Sequence, residues 1–190
     1  MASEVEICNA ALLKLGAKSI TSLTDGTANA RRCNAAYERL RNAELRKHTW
    51  NFSIARDELA ADSPAPTWGR ANSFTLPADF LKMADPYPEE NFNSRDWVIE
   101  QGKILTNDSA PLYIRYVAKI TDPNLMDPLF REALACAMAF ELCEPITQSN
   151  SKKADARASY GAAIREAKRA NALDNVPVES VEDSWITCRA

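Results

Sequence analysis

One segment constrains the fold of this chain more than any other: "LMDPLFREALACAMAFELCEP", residues 125–145. Asp127 can accept hydrogen bonds from the free N–H groups of a first helical turn, and Pro128 suits the position after it, where its missing N–H costs nothing. Phe130, Ala133, Leu134, Ala137, Met138, Glu141 and Leu142 then recur at helical spacing, and Pro145 is expected to close the helix. The apolar run inside it, "ALACAMAF" at 133–140, is far shorter than the roughly 20 residues needed to cross a bilayer. Such a helix needs other helices to cover it.

Three more helices are legible. Ser3 and Glu6 form a capping box ahead of Val5, Cys8, Leu12 and Leu15, and Gly16 fits the left-handed position that ends a helix, so the first spans about 3–15. Asp25-Gly26 marks a turn, Thr27 is a candidate cap, and the second helix runs from about Ala28 to Lys47, with Ala30, Cys33, Tyr37, Leu40 and Glu44 on one face. The fourth spans about 151–172, with Ala154, Ala158 and Ala162 on one side and charges elsewhere.

Between the helix pairs the period changes. From Trp50 onward Phe52 and Ile54 alternate with Ser53 and Ala55, which is strand spacing. "WVIEQGKILT" (97–106) reads as a hairpin turning at Gln101-Gly102, and "PLYIRYVAKI" (111–120) as a strand. The fold class expected is α+β, mainly α with a β-rich insert. Residues 1–49 and 124–172 would form a four-helix bundle, 50–123 a projecting β lobe, and 173–190 an extended tail. That tail, with the loops 61–73 and 85–96, is a candidate for folding on assembly.

The residues argue against most enzyme chemistry. One histidine and five scattered cysteines, with no C-x-x-C pair, do not make a zinc site, and free thiols in a reducing compartment are the expectation. There is no G-x-S-x-G and no Gly-rich phosphate loop. Cys33 and His48 lie fifteen residues apart, more than about 20 Å along a helix, too far for a dyad. The carboxylate pairs Asp57-Glu58, Glu89-Glu90 and Glu182-Asp183 sit at polar edges and read as solvated charge. No cofactor is expected. The net charge of −3 disfavours broad coating of nucleic acid, although the second and fourth helices carry basic faces. Acids interleave there, so Arg32, Arg39, Arg157 and Arg165 are expected at subunit contacts. The stretch "RKHTWNF" (46–52) joins bundle to lobe, with His48 in the last helical turn and Trp50 and Phe52 on one side of a strand, pinning the two parts together.

Ordered blocks then suggest a family. "AL-x-K-LG" (Ala11 to Gly16), "I-x-S-L-x-D" (Ile20 to Asp25), an Ala-Arg entry into a long helix and "L-R-x-H-x-W-N-F" (Leu45 to Phe52) are followed by "LPADFLKM" (76–83), "YIRYVAKITDP" (113–123) and "DPLFREALACAMAFELCEPITQS" (127–149). Over about residues 5–172 this order resembles the tail tubular protein A family, the head-to-tail adaptors of short-tailed phages. The resemblance implies a structural virion protein and no enzyme, assembled in the bacterial host cytoplasm and resident in the tail or neck. It implies a homo-oligomer, a dodecameric ring joining the portal protein to the tail nozzle protein, with a monomer before docking left open. DNA would pass through the channel without sequence-specific binding, and no membrane is involved. It also implies that the tail reaches the portal or a neighbouring subunit, with Val178, Val181, Trp185 and Ile186 as apolar anchors. Two other readings stand beside it: a small helical DNA-binding or regulatory protein, and a cell-wall lytic enzyme.

Overall fold

The computed structural model describes residues 2–84 and 97–174. The chain is α+β. Its helices are α1 (Glu4–Lys14), α2 (Ala28–Lys47), α3 (Pro128–Thr147) and α4 (Asn150–Leu173). Six strands lie between α2 and α3: β1 (Ile54–Leu59), β2 (Asn72–Thr75), β3 (Phe80–Met83), β4 (Trp97–Glu100), β5 (Lys103–Thr106) and β6 (Leu112–Ala118).

The helix starts follow the capping chemistry. Ser3 Oγ accepts from Glu6 N–H while the Glu6 carboxylate accepts from Ser3 N–H, so two orphan donors are satisfied reciprocally. Thr27 caps α2 through Ala30 N–H, and Asp127 caps α3 through the N–H groups of Leu129 and Phe130. Gly16 sits at φ +68, and the bonds Ala17 N–H to Leu12 O and Gly16 N–H to Leu13 O close α1 as a Schellman motif.

Two expectations need correction. Pro145 does not close α3. The helix continues to Thr147 and ends at Gln148, left-handed at φ 51, whose N–H returns to Glu144 O. Pro145 removes only its own donor, and the carbonyl this deprives belongs to the exposed Glu141, which water can reach. Glu141 itself was placed on the apolar face; it stands outside it and bridges to Arg39, with Oε1 2.5 Å from Nη2. On α4 the side with Ala154, Ala158 and Ala162 is exposed, and Ala163, Ile164 and Ala167 turn inward.

The strands form two antiparallel three-stranded sheets, ordered β1-β6-β3 and β2-β5-β4. The β4–β5 hairpin pairs Glu100 with Lys103, and Gln101 and Gly102 at φ 49 and 75 make the two-residue turn read from the sequence. In β6, Leu112, Ile114 and Tyr116 face inward while Tyr113 is exposed. The first strand begins later than expected. Asn51–Ser53 form a 3-10 turn, and extended pairing starts only at Ile54.

Buried apolar side chains fall into two clusters. One gathers all four helices with Trp50; the other holds Leu59, Phe74, Ile104, Leu112, Ile114 and Tyr116 from the strands. Leu81 of β3 packs on the helical cluster, and Ile120 packs on both. α3 is the hub of the helical cluster: it contacts α1, α2 and α4, and Ala133 to Ala139 are buried without a break. A helix buried nearly all round has no solvated face to absorb a defect. Leu134→Ala should therefore cost about 3 kcal/mol in urea unfolding, whereas Leu13→Ala, 79% exposed on α1, should stay within about 0.5 kcal/mol.

Candidate functional site

The stretch His48–Phe52 gathers aromatic stacking and hydrogen bonds from α2, α3 and α4. α2 ends at Lys47, and His48 is the residue beyond it, extended at φ −139, not part of the last turn. This turns the chain so that Trp50 swings back under its own helix. The Trp50 indole N–H donates to the carbonyl of Glu44 at 3.1 Å, and the side chain is 1% exposed. Phe130 of α3 meets it edge-to-face at 5.0 Å, Phe52 stacks at 6.1 Å, and His48 lies edge-on at 4.9 Å. Trp50 and Phe52 thus share a side as expected. The 3-10 turn between them achieves it, held by Ser53 N–H and Oγ–H, both donating to Trp50 O at 2.9 Å.

Asn171, in the last turn of α4, clamps this knot. Its Oδ1 accepts from Asn51 N–H at 2.8 Å, its carbonyl accepts from Asn51 Nδ2 at 2.9 Å, and its Nδ2 donates to Thr49 O at 3.2 Å. The same Nδ2 lies 3.4 Å from His48 Nε2, which makes Nε2 the acceptor and leaves the ring proton on Nδ1. One amide side chain thereby holds the backbone at Thr49 and Asn51 together with the His48 ring.

A second polar group sits alongside. Glu44 is 2% exposed, yet its carboxylate is satisfied: Tyr160 Oη donates to both oxygens at 2.9 and 3.0 Å, and Lys47 Nζ bridges at 2.5 Å. Burial pulls the Lys47 pKa down, but its bonds to Glu44 and Tyr160 outweigh this and leave it raised. Burial also raises the Tyr160 phenol, so it stays a donor at neutral pH. α2 and α4 are therefore joined by a buried acid that neither helix could hold alone. Arg41, three residues earlier on α2, is the basic counterpart. It is 3% exposed, stands 3.4 Å from Glu38 and 3.7 Å from Glu4, and lies over the Tyr37 ring.

The chemistry this supports is structural. His48 is held below its ordinary pKa, first by burial and then by Lys168 and Lys82. Its imidazole is therefore mainly neutral at pH 7 and can accept from Asn171. Among the described residues no set of three His, Cys, Asp or Glu gathers to hold a metal ion, and no helix is long and apolar enough to cross a membrane. Cys8, Cys33, Cys136 and Cys143 are free and buried.

The remaining expected contact residues scatter. Arg39 meets Glu141 within the chain, Arg32 is half-buried, and Arg157 and Arg165 stand exposed on α4. Val178, Val181, Trp185 and Ile186 lie outside the described residues. Sequence reasoning missed Asn171, Tyr160 and Phe130 as members of this site. Glu44 was the available signal, because an acid on an otherwise apolar stripe demands a buried partner.

Removing Trp50 should cost most here. Trp50→Ala should lose about 3–5 kcal/mol in denaturant unfolding, and Asn171→Ala about 1–3 kcal/mol. His48→Ala should cost little. A proton-NMR titration of the one histidine should give a pKa below 6.5, and Lys168→Ala should move it upward. The sign follows. A histidine with a depressed folded pKa contributes stability that is complete above 6.5 and is lost as pH falls through the folded value.

The chain matches no protein-family model and no curated protein.

Proposed function

We propose that this chain is a structural subunit of a phage virion, a head-to-tail adaptor whose ring joins the portal to the tail nozzle and lets DNA pass. The observation that carries the reading is Trp68. It stands 87% exposed beside the half-exposed Val98, on a groove of about 430 Å³ lined also by Pro66, Leu105 and Lys103. A large indole held in water beside other apolar groups is the anchor type that protein interfaces use. Leu13 and Leu173 are exposed apolar groups of the helical elements. A connector needs such contacts for more than one partner.

The ordered sequence blocks support the family within which this role makes sense. The "L-R-x-H-x-W-N-F" block is also the aromatic knot, so the most distinctive residues of the resemblance are those on which the architecture turns. On this reading the four helices form one bundle, residues 50–123 project from it as a lobe, and 173–190 reach a portal or neighbouring subunit. The two separate apolar clusters support that division. Mixed-sign helix faces suit lateral contacts whose register is set by charge complementarity.

Native mass spectrometry and negative-stain imaging of the chain mixed with portal rings test this. A stoichiometric ring on the portal is expected, and a monomer that ignores portal rings overturns the reading. Trp68→Ser should leave unfolding within about 0.5 kcal/mol of wild type while weakening assembly at least tenfold.

A further inference from the structure

Cations from three elements converge beside the aromatic knot. Arg46 lies in the last turn of α2, and its Nη1 donates to the carbonyl of Leu81 in β3. The next residue of that strand is Lys82. Lys168 of α4 precedes Asn171 by three residues, so it shares the helix face that reaches His48. We propose that Arg46, Lys82 and Lys168 form a binding site for the phosphate groups of a nucleic-acid duplex, read without regard to base sequence.

The charge balance of the surrounding elements favours an external anion. In α2 the near acid is Glu44, which Tyr160 and Lys47 already occupy. Beside β3 it is Asp79, which accepts from Tyr116 Oη at 3.0 Å. In α4 Glu166 lies about 200° around the helix from Lys168, at about 100° per residue. Asp174 lies past the end of α4. Lys82 and Lys168 make no ion pair among the described residues, and Lys168 is exposed. The lysines also act on one another's surroundings: both push the pKa of the half-buried His48 down, adding to the effect of its burial. Like charges held together in this way raise the gain from a counter-anion.

The form of the ligand follows from what stands around the cations. They sit on three separate elements, not around one point, which suits a polymer with regularly spaced charge better than a single free phosphate. Among the described residues around these cations no aromatic face is offered to bases. Trp50 is buried, and Phe52 is packed against Trp50 and Phe130. Single strands are held largely by stacking on such faces, so a duplex contacted through its backbone fits better. The net charge of −3 confines the attraction to this patch, and binding should be weak and steeply salt-dependent. The proposal stands apart from the adaptor reading, since a chain that never meets a portal would still carry the site.

The test uses the full chain and a 30-base-pair duplex of mixed sequence (about three helical turns), with affinity measured by fluorescence anisotropy from about 50 to 200 mM salt. Removing both lysines (Lys82→Ala with Lys168→Ala) should flatten the slope of log K against log salt by about 1.8, since each phosphate contact contributes about 0.9. Over that salt range wild type should then lose roughly tenfold more affinity than the double variant. Arg157→Ala, on the distal half of α4, should leave the slope unchanged. Should the alanine pair fail to fold, the charge-keeping pair Lys82→Arg with Lys168→Arg should retain the wild-type slope. Saturating duplex should also raise the His48 pKa in the wild-type chain by screening the two lysines. No binding at the lowest salt overturns the proposal, as does an unchanged slope in a folded double variant. Equal competition by polyglutamate of matched charge also overturns it, and assigns the patch to an acidic protein.

Discussion

The structure depends on one buried indole. Trp50 is the point where the end of α2, the start of α3 and the entry to the strands meet, and it touches His48, Phe52 and Phe130 at once. Burying a tryptophan removes about 150–250 Å² from water, which at about 25 cal/mol per Å² is about 4–6 kcal/mol. Each neutral hydrogen bond nearby contributes about 1 kcal/mol net. Burial therefore supplies the strength of the knot. The bonds from Asn171 supply its direction, because a residue whose side chain holds the backbone of Thr49 and Asn51 while its carbonyl holds the Asn51 side chain admits only one path for the chain leaving α2. The helix itself ends at Lys47 by local rules; where the chain goes next is a tertiary decision.

Buried charge makes the same arrangement specific. Glu44 and Arg41 would each be costly inside a protein if left alone. They lie on the same helix, and each takes partners from a different neighbour: Glu44 from α4 through Tyr160, Arg41 from α1 through Glu4. Glu38 extends the second network to Lys119 just past β6, 2.7 Å away. α2 can thus sit in only one rotation about its axis without stranding a charge. Apolar packing alone would not enforce this, since the alanine-rich faces of α3 and α4 could slide past one another with small losses.

Local signals were legible and long-range ones were not. The capping box at Ser3 and Glu6, the caps at Thr27 and Asp127, the left-handed Gly16 and the turn at Gln101-Gly102 all came out as read, because each rests on residues within five positions of one another. Pro145 misled because proline ends a helix only where the lost bond and the ring's bulk matter; near a solvated end neither decides. The alternation after Trp50 misled for a related reason. Trp50 and Phe52 stack across a 3-10 turn that begins after Trp50, so the contact expected of a strand pair is made without a strand. Asn171 carried no local sign of its role, being one polar residue near the end of an alanine-rich helix. Glu44 did carry one, and the partner it demands lay 116 residues away in Tyr160.

The histidine that first suggests chemistry belongs to this framework as a neutral acceptor beside two lysines. The helical and strand clusters remain distinct; Ile120 packs on both, Leu81 of β3 packs on the helical one, and Trp50 stands where the chain passes from α2 towards the strands. The proposed adaptor role would need mechanical continuity between them, since load applied to a β surface would have to reach the helices. Native-state hydrogen exchange tests it most directly, by comparing the slowest amides of α3 with those of β6. In the wild-type chain their opening free energies should agree within about 0.5 kcal/mol, as parts of one cooperative unit, and Trp50→Ala should separate them. Clusters that already open independently in the wild type, or that stay coupled without the indole, would contradict the account.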